Sequence, residues 1–239
     1  MGSLGDRMKM YEGIRDGKLI PRTPVIIRID GKAFHTFTNG MDRPWDEKFN
    51  DAMHQTALAL CNKIQGAKFA FVQSDEISIL LTDYENFDTE RWFDYRIQKL
   101  TSVSASIATA VFNDLIQPYR KERGLHESLA YFDARAFNMD MNEVTNYFIW
   151  RQQDATKNSI QLLGREYFSS KELHKLNGND IQNKLLTEKN VNWNDIDIWK
   201  RRGVCICKDT FGSTVNPLWV VDKECPIFTE NRDFIEIHL

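Results

Sequence analysis

Phe69-Ala70-Phe71-Val72-Gln73-Ser74-Asp75-Glu76-Ile77-Ser78-Ile79-Leu80-Leu81 consists of two apolar, β-prone runs joined by a short polar centre, the pattern of a hairpin with strands over 68–74 and 76–82. Two adjacent acids in so apolar a hairpin must be paired, metal-bound or exposed in the turn, because an isolated buried carboxylate carries a large desolvation cost. Side chains alternate along a strand, so Asp75 and Glu76 face opposite sides unless the hairpin is bulged, and Asp75 is read as the ligand. Upstream, Pro24-Val25-Ile26-Ile27-Arg28-Ile29 is a second β-branched run, and it ends on Asp30-Gly31. That dipeptide alone is an ordinary turn signal. If the two strands pair, however, Asp30 and Asp75 form a site of hard oxygen ligands, the kind that holds Mg²⁺ together with substrate phosphates.

The segments around these strands give the architecture. A helix is predicted over Leu4 to Ile14 and an amphipathic one from Trp45 to Ile64, ended by Gly66; another is predicted over Arg91 to Asn113 and a fourth strand over Ser128 to Phe137. Strand, helix, strand, strand, helix, strand is the split βαβ order of ferredoxin-like sheets, with both helices on one face. The fold class is therefore α+β: a ferredoxin-type antiparallel sheet with two helices on one face, followed by a C-terminal helical and β extension. In that extension Glu143 to Phe168 and Asp180 to Glu188 read as helices, and runs at 203–207 and 218–221 read as strands. The division is a catalytic core with its N-terminal helix over 1–137 and an extension over 138–239 packed on it, with no linker between.

At 239 residues the chain can bury a sizeable core. A mean hydropathy of -0.48, with no long uncharged apolar stretch, argues against a membrane span and for a soluble protein. The N-terminus has no apolar signal core, so the expected location is cytoplasmic. The four cysteines, Cys61, Cys205, Cys207 and Cys225, have no zinc spacing and read as buried free thiols. A net charge of -3 excludes nucleic-acid binding by bulk positive charge, so RNA contacts would come from local patches. Candidate patches are Arg91, Arg96 and Lys99, then Arg120, Lys121 and Arg123, then Lys200, Arg201 and Arg202.

If the chain after Gly31 curls so that the amides of Lys32, Ala33, Phe34 and His35 point inward, they form a nest for a triphosphate, which the bare glycine lets approach. Arg96 and Lys99 share a helix stripe with Ser102 and Ser106; this is a solvated face unless the end of the helix lies beside phosphates held on the sheet. The histidines form no zinc pattern. His35 is the one inside a motif, and it is either a loop residue bonded to backbone or a nucleotide contact.

With these residues in hand, the chain resembles the tRNA-histidine guanylyltransferase superfamily, in its guanylyltransferase-like branch of 3′-to-5′ polymerases. The resemblance rests on Arg28-Ile29-Asp30-Gly31-Lys32-Ala33-Phe34-His35, on Ser74-Asp75-Glu76, on Lys99 with the serines after it, and on Phe132-Asp133-Ala134-Arg135 followed by Trp150-Arg151-Gln152-Gln153-Asp154. It implies a palm-like core working with two Mg²⁺ ions, with Asp30, Asp75 and the Gly31 carbonyl as ligands and Glu76 as a further required acid. It implies a nucleotide site made by Gly31, Lys32, Ala33, Phe34, His35 and Ser74, joined by Arg43, Asp46 and Lys99, and RNA contacts by Arg96, Arg151, Asn158, Lys200 and Arg201. Its partners would be tRNA with GTP, ATP and other nucleoside triphosphates, and its assembly a homotetramer. The implied reaction extends a tRNA at its 5′ end: ATP adenylylates a 5′-monophosphate, and the 3′-hydroxyl of an incoming nucleotide displaces AMP. A 5′-triphosphate end bypasses the first step.

Eukaryotic members that add one guanosine to tRNA-His carry His-Ile-Asn-Asn-Leu-Tyr-Asn after the Trp-Arg-Gln segment. This chain has Thr156-Lys157-Asn158-Ser159-Ile160-Gln161-Leu162, where only Asn158 matches. That departure favours templated repair of 5′-truncated tRNA over dedicated tRNA-His guanylylation. A nucleotide cyclase would share the palm-like sheet, but the Gly-Gly its acidic hairpin carries is missing. A non-catalytic RNA-binding module would place aromatics where this hairpin has acids.

Overall fold

The computed structural model describes residues 3–13, 17–208 and 217–239. In chain order these form α1 (Leu4–Gly13), β1 (Val25–Gly31), a one-turn α2 (Phe34–Phe37), α3 (Glu47–Lys63), β2 (Ala67–Gln73), β3 (Glu76–Leu81), α4 (Ile97–Glu122) and β4 (Phe132–Asn138). There follow α5 (Met141–Tyr167), α6 (Gly178–Lys189), α7 (Ile198–Arg202), β5 (Val204–Lys208), β6 (Trp219–Asp222) and α8 (Asp233–Glu236). The six strands form one sheet in the order β4-β1-β3-β2-β5-β6, every neighbouring pair antiparallel. The first four have the predicted ferredoxin-like order. The two C-terminal strands add to the free edge of β2, so the C-terminal part shares the sheet with the first 137 residues.

Alternation along the strands sorts the two faces. Val25, Ile27, Ile29, Ile77, Ile79 and Leu81 are fully buried beneath α3 and α4, in a core that also takes in Phe34, Phe49, Phe112 and Phe132. Ile26, Phe69, Phe71 and Leu80 lie on the other face, under Val144, Phe148 and Phe228 of the C-terminal part. The strands are apolar on both faces because both are covered, which is why the hairpin reads as almost unbroken hydrophobics. No helix among the described residues is long and apolar enough to cross a membrane.

Two predicted elements shift. The helix placed at 91–113 runs instead over Ile97–Glu122, because Phe93, Asp94 and Tyr95 have positive φ and break the chain before it. Its last turns are retained because the Arg120 side chain is buried, donating to the Phe37 carbonyl at 2.6 Å and the His126 carbonyl at 2.9 Å. Arg120 is therefore a structural tie and not an RNA contact. The strand predicted from Ser128 starts only at Phe132, since Asn113 and Gln117 of α4 bind the Ala130 and Ser128 backbone in place of a neighbouring strand. Residue 14 of the first predicted helix lies outside the described residues.

The cysteine reading is corrected as well. Cys205 on β5 and Cys225 after β6 are joined as a disulfide, with Cα atoms 6.1 Å apart, whereas Cys61 is a buried free thiol as expected. Cys225 reaches Cys205 only because the chain reverses through β6, a contact that sequence spacing cannot display.

Candidate active site

Asp30 ends β1, and its register partner on β3 is Glu76. The β2–β3 turn consists of Ser74 and Asp75, with Ser74 at φ 49. The Gly31 amide donates to the Asp75 carbonyl at 3.0 Å, which pins the tip of the turn beside the end of β1. The two signatures thus meet as the sequence predicts. Burial pushes the Asp75 carboxyl above the usual carboxylate range, and the neighbouring charges of Asp30 and Glu76 push it the same way, against the donated hydroxyl of Ser74 at 3.0 Å. Among the described residues neither Asp30 nor Asp75 has a cationic side chain as partner. Two like-charged carboxylates held together without a counter-cation form a donor set that suits a hard divalent ion.

Glu76 is built differently. Its carboxylate is buried and takes Arg28 at 2.6 Å and Arg151 at 2.8 Å on the same oxygen, while Ser78 approaches the other oxygen at 3.4 Å and in turn meets the Tyr147 hydroxyl at 2.8 Å. Alternation puts Arg28, Asp30, Glu76 and Ser78 on one face of the sheet, the face that α5 covers. Two corrections follow. Glu76 shares the face of Asp30, but both its oxygens are engaged by protein groups. Arg151, expected at the RNA, is 4 % exposed and holds α5 to the sheet through Glu76.

After Gly31 the chain does curl, and the curl has a different cause. The Lys32 amide extends the strand ladder by donating to the Tyr131 carbonyl at 2.8 Å, so it is taken out of the proposed nest. Ala33 is left-handed at φ 55 and starts α2, which leaves the amides of Ala33, Phe34 and His35 without an acceptor among the described residues. A Cβ on Gly31 would lie 2.4 Å from the ring of Phe34, which is buried against Phe37, Phe49, Phe112 and Phe132. The glycine is thus required first for packing, and Phe34 contributes its amide while its ring belongs to the core. Gly31→Ala is expected to cost about 1–3 kcal/mol through displacement of that ring; a denaturant midpoint equal to wild type would refute this packing role.

A cavity of about 950 Å³ opens beside these groups. Gly31, Ala33, His35, Ser74 and Asp75 line one end; Arg43 lines it as well, and α5 contributes Lys157, Asn158, Gln161 and Arg165. His35 and Arg43 are exposed there, free to meet a ligand. Asp46 also borders the cavity, but its carboxylate caps α3 through the Phe49 amide at 2.9 Å and binds the Asp42 amide at 3.0 Å and the Tyr119 hydroxyl at 2.5 Å. Burial works against its ionisation, and the donors from Tyr119, Phe49 and Asp42 with the charge of Arg123 outweigh it, holding the Asp46 carboxyl below the usual range. Asp46 is therefore a helix cap, with three of its four carboxylate lone pairs taken by the protein's own donors. Because its folded pKa is depressed, its stabilisation is present above the unfolded carboxylate pKa and is lost as pH falls through the folded value. Asp46→Asn keeps a capping oxygen but loses the charge that Tyr119 and the amides meet, and is expected to cost about 1 kcal/mol at pH 7, with the gap to wild type closing as acid is added; a gap independent of pH would contradict it.

The comparisons with known proteins bear on this geometry. The family model described as tRNAHis guanylyltransferase matches residues 5–140, which include both acidic signatures. The chain belongs to the tRNAHis guanylyltransferase family. It is 31% identical over 225 residues to an uncharacterised protein of Acanthamoeba polyphaga mimivirus, covering 86% of this chain and 77% of that one. A solved bacterial tRNA(His) guanylyltransferase-like protein in complex with ATP is 47% identical, with a TM-score of 0.91 and 99% of each chain covered. The tRNA(His) guanylyltransferase of Saccharomyces cerevisiae is 25% identical, with a TM-score of 0.70, covering 82% of this chain and 91% of that one. The family is one of nucleotidyltransferases, and the six-stranded α+β architecture agrees with it.

Other residues that the family resemblance nominates do not gather at the acids. The Phe132 amide donates to Thr109 of α4 at 3.3 Å and Phe132 is the strand partner of Gly31, so the acids are level with Thr109. Lys99 lies about 15 Å further down the helix at 1.5 Å per residue, and Arg96, bridged to Lys18, precedes it. Both are therefore at the opposite end of the sheet, because α4 starts after β3 has run away from the site. Lys200 borders the cavity but pairs with Asp197 at 2.8 Å, and Arg201 lies over Trp193. Lys157, Arg165 and His54 were missed; only their convergence on the cavity marks them, since each is an isolated residue in a helix.

Proposed function

We propose that this chain is a 3′-to-5′ nucleotidyltransferase that adds nucleoside triphosphates to the 5′ end of tRNA, in the repair of truncated ends directed by the opposite strand. The observation that carries it is the juxtaposition of Asp30 and Asp75, two uncompensated carboxylates, with Asp75, Gly31 and the residues of the free amides lining one end of a cavity large enough for a nucleotide. Family membership supports the chemistry, and bacterial guanylyltransferase-like structures with ATP and with GTP support triphosphates as ligands.

In this reading Asp30, Asp75 and the Gly31 carbonyl would hold two Mg²⁺ ions. Bound there, the ions would lower the pKa of the attacking hydroxyl and offset charge on the phosphoryl group and leaving pyrophosphate. The protein's own part is positioning. The amides of Ala33, Phe34 and His35 receive the triphosphate, Ser74 adds a hydroxyl at the turn, and the rigid β1 end and hairpin hold both carboxylates without reorganisation. Glu76 with Arg28 and Arg151 fixes α5, and with it the far wall of the cavity. The working assembly is taken as a homotetramer, which a mass measurement in solution tests.

Repair is preferred to dedicated guanylylation of tRNA-His because 156–162 carries a different set of side chains from the members specific for that tRNA. The test is addition to 5′-truncated tRNA-His and to a truncated non-histidine tRNA, each with the base opposite the vacancy changed. The added nucleotide is expected to follow the opposite base in both. Addition of guanosine alone, and only to tRNA with a histidine anticodon, would replace repair by dedicated guanylylation.

A further inference from the structure

The cavity continues past the carboxylates into an arm between α3 and α5 that the triphosphate reading leaves unused. Along α5 the positions 157, 161 and 165 repeat at one-turn spacing and turn one stripe toward it, Lys157, Gln161 and Arg165. Lys157 and Arg165 are exposed and have no carboxylate partner among the described residues, Glu166 included. Lys184, Lys200 and Arg151, by contrast, are all ion-paired. The opposite wall supplies His54 of α3, 4 % exposed and edge-on to Trp199 at 5.9 Å. Neither of its ring nitrogens has a hydrogen-bond partner among the described residues, and Nδ1 is sealed from solvent. Nε2 is thereby the ring atom left to meet a ligand that enters the arm. Burial, with the charge of Lys223, lowers the His54 pKa to about 4, so at neutral pH the ring is uncharged and meets the arm through Nε2 as a single donor or acceptor. Such a contact suits a nucleobase.

We propose that this arm seats a nucleotide of the RNA strand itself, its phosphates against Lys157 and Arg165 and its base edge toward His54. The inference rests on the tRNA reading above and extends it to how the strand is held. Lysine and arginine bind the backbone without reading sequence, which fits an enzyme whose choice of nucleotide comes from pairing. The stripe begins within the 156–162 segment, where this chain departs from the members specific for tRNA-His, and Lys157 stands where those members carry isoleucine. Free nucleoside triphosphate offers the same phosphate chemistry, and the experiment separates the two sources.

Affinity for a 5′-truncated RNA hairpin is measured over a series of salt concentrations for wild type, a Lys157→Ala/Arg165→Ala double variant and His54→Phe. GTP and ATP affinity are measured in parallel. The double variant is expected to bind RNA more weakly, with the slope of log affinity against log salt reduced by about 0.7 for each single-strand phosphate that is no longer neutralised. His54→Phe is expected to weaken RNA binding at unchanged slope, and nucleotide affinity is expected to stay at wild type in both. Wild-type RNA affinity and slope in the double variant would overturn the proposal, even if His54→Phe does not fold. Loss of GTP or ATP affinity with RNA binding intact would also overturn it, by assigning the wall to free nucleotide. Wild-type protein that binds the hairpin with the expected slope but extends no RNA would defeat the enzymatic reading while leaving this site in place.

Discussion

Asp30→Asn and Asp75→Asn proteins are expected to fold and to lose nucleotide addition by at least about a thousandfold, equivalent to about 4 kcal/mol of transition-state stabilisation. The loss should be the same with 5′-monophosphate and 5′-triphosphate RNA, since both phosphoryl transfers would use the same carboxylates. Stability is expected to move the other way. Burial and the charges of Asp30 and Glu76 already raise the Asp75 pKa, so asparagine there relieves repulsion, and the metal-free variant should melt no lower than wild type. Added MgCl₂ should raise the melting temperature of wild type and of neither variant, because a ligand stabilises only the state that binds it. Near-wild-type extension of a truncated, 5′-triphosphorylated tRNA by either folded variant would overturn the assignment.

Arg151→Ala is expected to lower the unfolding free energy by about 1.5–3 kcal/mol, the loss of a buried hydrogen bond between charged groups while Glu76 stays compensated by Arg28. Arg151 and Glu76 are both nearly inaccessible, and the second arginine, Arg28, cannot tie α5 to the sheet in its place because it is fixed on β1. Glu76→Gln keeps the shape and one acceptor oxygen, so a smaller loss is expected there, read as a shift in denaturant midpoint at unchanged slope. The same variant decides what Glu76 does. If Glu76→Gln keeps the wild-type midpoint but no longer gains stability from MgCl₂, Glu76 is a metal ligand. If it loses stability and still responds to MgCl₂, Glu76 is the brace that the ion pairs describe.

The hairpin around Ser74-Asp75-Glu76 and the strand ending at Asp30 were legible because strand identity and turn position are local properties: β-branched runs, a polar break and a glycine suffice. The order of the first six elements then leaves few ways to arrange a sheet, and the ferredoxin-like one follows. Helix starts were less legible. The break before α4 depends on Phe93, Asp94 and Tyr95 adopting positive φ, held by contacts such as Lys18 with Asp94 that lie far apart in the chain.

At the site the division follows the reach of each interaction. Sequence by itself determined that Asp30 and Asp75 are strand-end acids that pairing would bring together, and it marked Ala33, Phe34 and His35 as a turn next to them. Only the tertiary structure decided which charged residues are spent on the fold. Asp46 serves as a helix cap, Arg120 as a tie to the Phe37 carbonyl, and Arg151 with Arg28 pairs with Glu76, while α4 carries Lys99 away from the acids. The physical reason is that a side chain's one-dimensional neighbours specify its backbone, whereas its burial and partners depend on chain segments that meet only on folding. A buried charge must find a partner wherever the fold supplies one, and His54, Lys157 and Arg165 converge on one cavity only because α3 and α5 form its opposite walls.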